Sequence, residues 1–307
     1  MKENRKDGRF RVGYLAGSNH TGSTLLALVM DMHPQIASVG ETSPNRGYAP
    51  GRGHCSCGEW IRDCAFWKRI FAEVTRQGVE LSASSWSNDY RYRNIVLHRM
   101  LSRFSHNGYI RRAQLAASDL LPGHRGRTGR IDRANVLFTR AVLEATGARV
   151  LFDTSKYSAR LYHLLRIPEL DVRVIRLVRD VRGFASSEKK RGRGAQDAAH
   201  VWIRQQQVIG DILRALPADR VLLLRYEDVC AAPHHWLREL QLFLGVDPIE
   251  TPLTACPRGH HVLGNPIARS QTVTVRSPED WQARLSDTEV STVMRIAGAD
   301  NMRFGYV

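Results

Sequence analysis

At 307 residues the chain is long enough for a full hydrophobic core, and 43% apolar with 24% charged residues is the composition of a globular protein. No stretch approaches the about 18 uninterrupted apolar residues of a membrane span, the opening "MKENRKDGRFRVGYL" lacks an apolar leader segment, and five cysteines in so long a chain exclude a small disulfide scaffold, so a cytoplasmic protein is expected. The net charge of +15 predicts attraction for polyanionic ligands, but no helix-turn-helix, zinc-finger or aromatic RNA-binding signature makes nucleic acid the expected partner.

In chain order, Arg11 to Ala16 reads as a short strand, and Ser23 to Met32 carries Leu25, Leu26, Val29 and Met30 at helical spacing before Pro34. The connecting "GSNHTGST" nearly spells a nucleotide-binding P-loop: Gly17, four residues, Gly22, then Ser23 where the motif has lysine, then Thr24. Such a loop aims the N–H groups and positive dipole end of the helix at an anion. A plain Gly-rich turn would look the same. Ile36 to Val39 follows as a short extended segment ending at Gly40-Glu41.

From Thr42 to about Ala145 the pattern is irregular, with helices predicted near Phe66 to Gln77, Tyr90 to Phe104 and Ile131 to Thr146. Within it, "GHCSCGEWIRDCAFW" gathers His54, Cys55, Cys57 and Cys64, the residue types of soft-metal sites without the paired C-x-x-C knuckles that identify zinc. Regular alternation then resumes: strand and loop over Ala148 to Lys156, helix over Ser158 to Arg166, strand over Val172 to Asp180 and helix through Ala185 to Lys190. Further helices are predicted over His200 to Leu216 and His235 to Leu244, on either side of a last strand from Arg220 to Val229.

Strands separated by long helices predict an α/β, P-loop-type three-layer fold: a central parallel sheet flanked by helices, plus the mainly helical insertion at about 42–145 of a single 1–307 domain. Ligands of such sheets bind at the carboxyl ends of the strands. Gly17 to Ser23, Asp153 to Lys156 and Arg179 all fall there.

A second anion site is legible in "RLVRDVRGFASSEKKR", where Arg179 closes a strand and Ser187 lies eight residues on in the next helix. Arginine is a forked, permanently charged donor, and its hydrogen bond to a charged group contributes about 1.5–3 kcal/mol. Alone, this pair fits a surface ion-pair cluster equally well. Together, the two elements resemble the PAPS-dependent sulfotransferases, of a bacterial type similar to the carbohydrate and tyrosylprotein enzymes. "DMHPQIASVGET", "FDTSK", "RYEDV" and "LGNPIAR" look like further landmarks of that family in the expected order.

The resemblance implies transfer of a sulfuryl group from PAPS to a hydroxyl, or in second place an amine, of a small-molecule or glycan-type acceptor, with release of adenosine 3′,5′-bisphosphate and no metal required. It implies that Ser18, Asn19, His20, Thr21, Gly22, Ser23 and Thr24 hold the 5′ end of the donor, and that Arg179 and Ser187 hold its 3′ phosphate. Gly264, Asn265 and Arg269 then belong to a segment folding over the nucleotide. Glu41 takes the place of the family's base, and Lys156 that of a lysine steadying the transferred group or, as a plain alternative, pairing with Asp153. His20 departs from the family, which has Lys or Arg two residues before the second glycine, so it is charged only when protonated. For the cysteine cluster the resemblance favours packing or a disulfide over structural zinc.

Blander expectations attach to other residues. His260 and His261 support the nucleotide segment, Trp202, Trp236 and Trp281 serve as core or stacking residues, and Lys189 to Arg193 is a solvated face. Two rivals remain: a P-loop nucleotide kinase or NTPase, which needs lysine at Ser23, and a non-catalytic polyanion- or nucleic-acid-binding protein, whose affinity would fall steeply with salt.

Overall fold

Strand β2, Arg9–Gly17, is buried along almost its whole length, as a central parallel strand covered on both faces must be. A two-residue strand β1, Arg5–Lys6, folds back antiparallel on its start. The computed structural model describes residues 5, 6, 8–18, 21–42, 53–92, 94–102, 104, 105, 107–255, 259–262, 273, 274 and 281–307.

From β2 the chain enters helix α1, Ser23–Met30, and returns as strand β3, Ile36–Ser38. Helix α2, Ala65–Arg76, the short α3, Ile95–Leu97, with a π-turn over His98–Ser102, α4, Gly108–Leu120, and α5, His124–Thr146, then precede strand β4, Val150–Asp153. Next come α6, Ser158–Leu164, strand β5, Leu170–Val178, α7, Val181–Lys189, and α8, Ala195–Leu213. Strand β6, Val221–Arg225, leads into α9, Tyr226–Ala231, and α10, Pro233–Leu244. A two-stranded pair, β7, Thr254–Ala255, and β8, Val273–Thr274, and helix α11, Asp287–Met302, complete the described chain.

The five principal strands run in the order β3-β4-β2-β5-β6, every pair parallel. Alternation along β2 divides the core. Phe10, Val12, Tyr14 and Ala16 face the layer of α2, α5, α6 and α8, while Leu15 faces α1 and α10. Position 13, on the same face as Leu15, needs glycine because α10 approaches closely there: a β-carbon would sit 2.6 Å from Leu244 Cδ2. A third cluster joins α7, α8 and α11 around Trp202 and Val293. The α/β three-layer expectation therefore holds, including the helices between β3 and β4. No described helix is long and apolar enough to cross a membrane.

Several elements differ from the sequence reading, among them the helix expected over Tyr90 to Phe104, which is present only as α3 and the π-turn after it. The last strand stops at Arg225 instead of running to Val229, because Glu227 and Asp228 fall in the first turn of α9, where acidic residues favour a helix start. Helix α4 went unpredicted because it is mostly exposed and shows no apolar stripe, with only Ser118 buried. Helix α11 went unpredicted although Ser286 and Glu289 form a capping box at its start.

Candidate active site

Parallel pairing puts the ends of β2, β3, β4, β5 and β6 at one edge of the sheet, and five chain segments converge there. The first is the glycine loop. A β-carbon on Gly17 would lie 2.6 Å from the Leu177 carbonyl oxygen, so the strand-to-loop passage needs glycine. Gly22 has φ 82°, in the left-handed region, and any side chain there would strike the Tyr226 ring. Ser18 and Thr21 are buried: Thr21 Oγ1 donates to Ser18 O at 2.8 Å, and Gln206 Nε2 to Ser18 Oγ at 3.2 Å. Among the described residues no side chain caps α1 and no acidic residue stands in its first turn. The positive end of the helix, with Ser23 and half-buried Thr24, therefore offers itself to an anion. Asn19 and His20 lie outside the described residues.

Lys156, at the end of the β4 loop, supplies the ammonium that the loop lacks. Its Nζ donates to Ser23 Oγ at 2.9 Å and to Glu41 Oε1 at 2.9 Å. It joins the loop to the end of β3. Lys156 has φ 56° and is the only non-glycine with positive φ among the described residues; a left-handed residue carrying a β-carbon costs about 1–2 kcal/mol. Lys156 does not pair with Asp153, because the buried Asp153 carboxylate is taken by Arg160 Nε at 2.9 Å.

That carboxylate also positions both neighbours of the bridge. Thr42 Oγ1, one residue beyond Glu41, donates to Asp153 Oδ2 at 2.8 Å, and Ser155 Oγ, one residue before Lys156, to Asp153 Oδ1 at 2.5 Å. On its other side Glu41 is held through the backbone: its N–H donates to Val262 O at 3.1 Å, and Val262 N to Val39 O at 2.8 Å. Gly40, at φ 80°, brings that segment so near that any side chain would strike the Val262 carbonyl.

Arg179 follows β5 directly, and its NH1 donates to Ser187 Oγ at 3.1 Å across the first turns of α7. Gly183 makes room for the guanidinium: a β-carbon there would lie 2.8 Å from Arg179 Nε. The same guanidinium stands 4.8 Å from the centroid of Tyr226, a cation–π contact. Tyr226 thus touches both anion elements, and burial raises its phenol to about 12, so it stays neutral at physiological pH. Sequence reasoning noted "RYEDV" only as a landmark; the early start of α9, signalled by Glu227 and Asp228, aims Tyr226 here. Gln206 carried no signal, since it is one polar residue on an otherwise ordinary helix.

Gly264, Asn265 and Arg269 lie outside the described residues. Trp202 is fully buried and donates Nε1–H to Arg179 O at 3.1 Å, Trp281 lies under Arg182 at 4.7 Å, and Trp236 packs against the core of α1 and α10. Lys189 pairs with Glu289 at 2.7 Å, and Arg193 with Glu188. The histidines divide: buried His261 pairs with Asp31 at 3.1 Å, whereas His260 turns to the thiols of Cys55 and Cys64. His54 stays outside that cluster, its ring tilted at 31° against Trp60 with centroids 3.9 Å apart. Cys55, Cys57 and Cys64 are free thiols and Cys55 and Cys64 are buried, so of the two structural roles expected, packing or a disulfide, it is packing that is seen.

A family model described as the sulfotransferase family matches residues 14–250. The fold is similar to that of the sulfotransferase domain from the Synechococcus PCC 7002 olefin synthase, at 18% identity and a TM-score of 0.52, covering 97% of this chain and 96% of that one. The sulfotransferase domain from the curacin biosynthetic pathway aligns at 18% identity and 0.48 over 97% of both chains. Sulfotransferase STF1 from Mycobacterium tuberculosis H37Rv aligns at 12% and 0.42 over 77% of this chain and 68% of that one. No curated protein matches.

Proposed function

The chain belongs to the sulfotransferase family, and from that premise we propose that it moves a sulfuryl group from PAPS to a hydroxyl of an acceptor, releasing adenosine 3′,5′-bisphosphate. The observation that carries this reading is the Lys156 bridge, whose ammonium lies 2.9 Å from Ser23 in the anion loop and 2.9 Å from the Glu41 carboxylate. One cation thus reaches both the anion loop and a candidate base. Sulfuryl transfer needs those two neighbours and a charge between them.

The residues present fit the donor. Gly17, Gly22 and the uncapped start of α1 leave room and N–H groups for a 5′ phosphosulfate, and Arg179 with Ser187 forms a separate fork for a 3′ phosphate. When bound, PAPS supplies a sulfuryl group on a phosphate leaving group. Thr21, Gly22, Ser23 and Thr24 hold that end, and Lys156 offers positive charge to the sulfuryl oxygens. Glu41 accepts the acceptor's hydroxyl proton at its carboxylate. Asp153, through Thr42 and Ser155, orients the base and the lysine without touching substrate. A kinase reading is less well served, since the cation at Ser23 is shared with a carboxylate rather than dedicated to a terminal phosphate.

Thermal shift with adenosine 3′,5′-bisphosphate, AMP and ATP–magnesium tests this reading. A ligand at a hundred times its Kd adds about 2.7 kcal/mol of apparent stability. The bisphosphate is expected to stabilise the chain more than AMP. Arg179→Ala is expected to erase that difference through a loss of about 10- to 150-fold in bisphosphate affinity, the equivalent of about 1.5–3 kcal/mol. Stabilisation by ATP–magnesium alone would sink the proposal.

A further inference from the structure

Away from the anion loop, three thiols and one imidazole converge from segments about two hundred residues apart. Cys55 Sγ, Cys57 Sγ, Cys64 Sγ and His260 Nδ1 all lie within 4.8 Å of one another. Cys57 and Cys64 sulfurs are 3.7 Å apart, and His260 Nδ1 lies 3.4 Å from Cys55 Sγ and 3.3 Å from Cys64 Sγ. A tetrahedral Zn²⁺ with bonds of about 2.3 Å to sulfur and about 2.0–2.1 Å to nitrogen spaces its sulfurs by about 3.8 Å and sulfur from nitrogen by about 3.6 Å. Three of the six separations are thus within about 0.3 Å of those of a zinc-sized tetrahedron, and the other three lie within 4.8 Å.

The local chain geometry fits the same purpose. Gly58, at φ 98°, closes a tight turn in which its N–H donates to Cys55 O at 3.0 Å, bringing Cys55 and Cys57 to one side. Cys64 is the N-cap residue of α2, whose first turn carries no acidic residue. The His260 ring is set by Phe66, stacked on it at 4.6 Å and 6°. Cys55 and Cys64 are buried and the Cys57 side opens to solvent, giving the ion an entry path.

We propose that Cys55, Cys57, Cys64 and His260 Nδ1 hold a structural Zn²⁺ that clips residues 259–262 to the 53–64 loop and, through Val262, sets the position of Glu41. Binding converts three thiols to thiolates and releases three protons, with the imidazole neutral. Four protein ligands close the coordination sphere, so the ion has a holding role and no open position for substrate. Its reach is short: Cys55 and Gly40 both pair with Val262, whose carbonyl receives the Glu41 N–H. Ser56 ties the same strip from between the ligands, its Oγ donating to Gly259 O at 2.7 Å and accepting from His261 N at 2.9 Å.

This site stands independently of the sulfuryl-transfer reading and is tested by metal content. Full-length protein expressed with zinc and dialysed against metal-free buffer is expected to retain about one zinc per chain by mass spectrometry. Cys57→Ser and His260→Ala are expected to lose most of it, while His54→Ala keeps it. Cobalt exchange of the wild-type chain, which needs no variant to fold, is expected to give thiolate-to-cobalt absorption. After chelation, amide exchange at Glu41 and Val262 is expected to rise at least tenfold. A folded wild-type chain with no zinc and no cobalt–thiolate band would overturn the site, as would equal zinc in Cys57→Ser and His260→Ala. Unchanged exchange at Glu41 and Val262 would overturn the coupling to Glu41.

Discussion

Lys156 keeps a left-handed backbone at φ 56° while its ammonium ties Ser23 to Glu41. Strain of this kind persists only where the surroundings over-determine it, and here Asp153, Thr42, Ser155 and Arg160 form the rigid frame. Residue-level chemistry gives a direct expectation for the base. Glu41→Gln keeps an acceptor for Lys156 but cannot take a proton, so transfer from labelled PAPS to any acceptor that the wild-type chain uses is expected to slow by about 10²–10⁴-fold. Stabilisation by adenosine 3′,5′-bisphosphate is expected to stay as in wild type, because Glu41 lies outside the two anion elements. Transfer at the wild-type rate would move the base elsewhere. Arg179 and Ser187 were nameable from motif spacing, and Glu41 and Lys156 from the family resemblance; Gln206, Tyr226 and the partner of Asp153 were not, since each depends on which elements pack together.

At the scale of elements, the start of α1 carries no side-chain cap, and α11 shows the opposite. Ser286 Oγ accepts from Glu289 N at 3.3 Å and Glu289 Oε2 from Ser286 N at 2.8 Å, satisfying two end groups within the chain. Such a box is readable as S-x-x-E before an apolar run, so the element was within reach of sequence reasoning. Ser286→Ala is expected to lower the urea midpoint by the equivalent of about 1 kcal/mol at unchanged m-value. A midpoint equal to wild type would show that α11 is held by its packing on α7 and α8 alone. Helix α4 was beyond such reading, because an exposed helix with almost no buried face has no periodic apolar signal.

Across the whole molecule, stability is coupled to pH through groups remote from the sheet edge. His163, stacked on Tyr90 at 4.3 Å, is pushed down to about 4, first by burial and then by the charges of His124, Arg166 and Arg127. A histidine depressed in the folded state binds more protons when unfolded, so its contribution is complete above about pH 6.5 and is lost as pH falls toward 4. The slope approaches about 1.4 kcal/mol per pH unit in that window. Urea midpoints at pH 7 and pH 5 are expected to diverge more for wild type than for His163→Phe, which keeps the ring stack; equal losses would remove His163 from the account. The α/β class and the alternation of the principal strands with helices were legible in the sequence alone, because propensity and alternation are local, whereas α4, α9 and α11 were not read from it. Tertiary structure alone decided that the ammonium missing at Ser23 arrives from Lys156, and that His260 rather than His54 joins the three cysteines. Both are contacts between residues more than a hundred positions apart, and what brings such residues together is the packing of the elements that carry them.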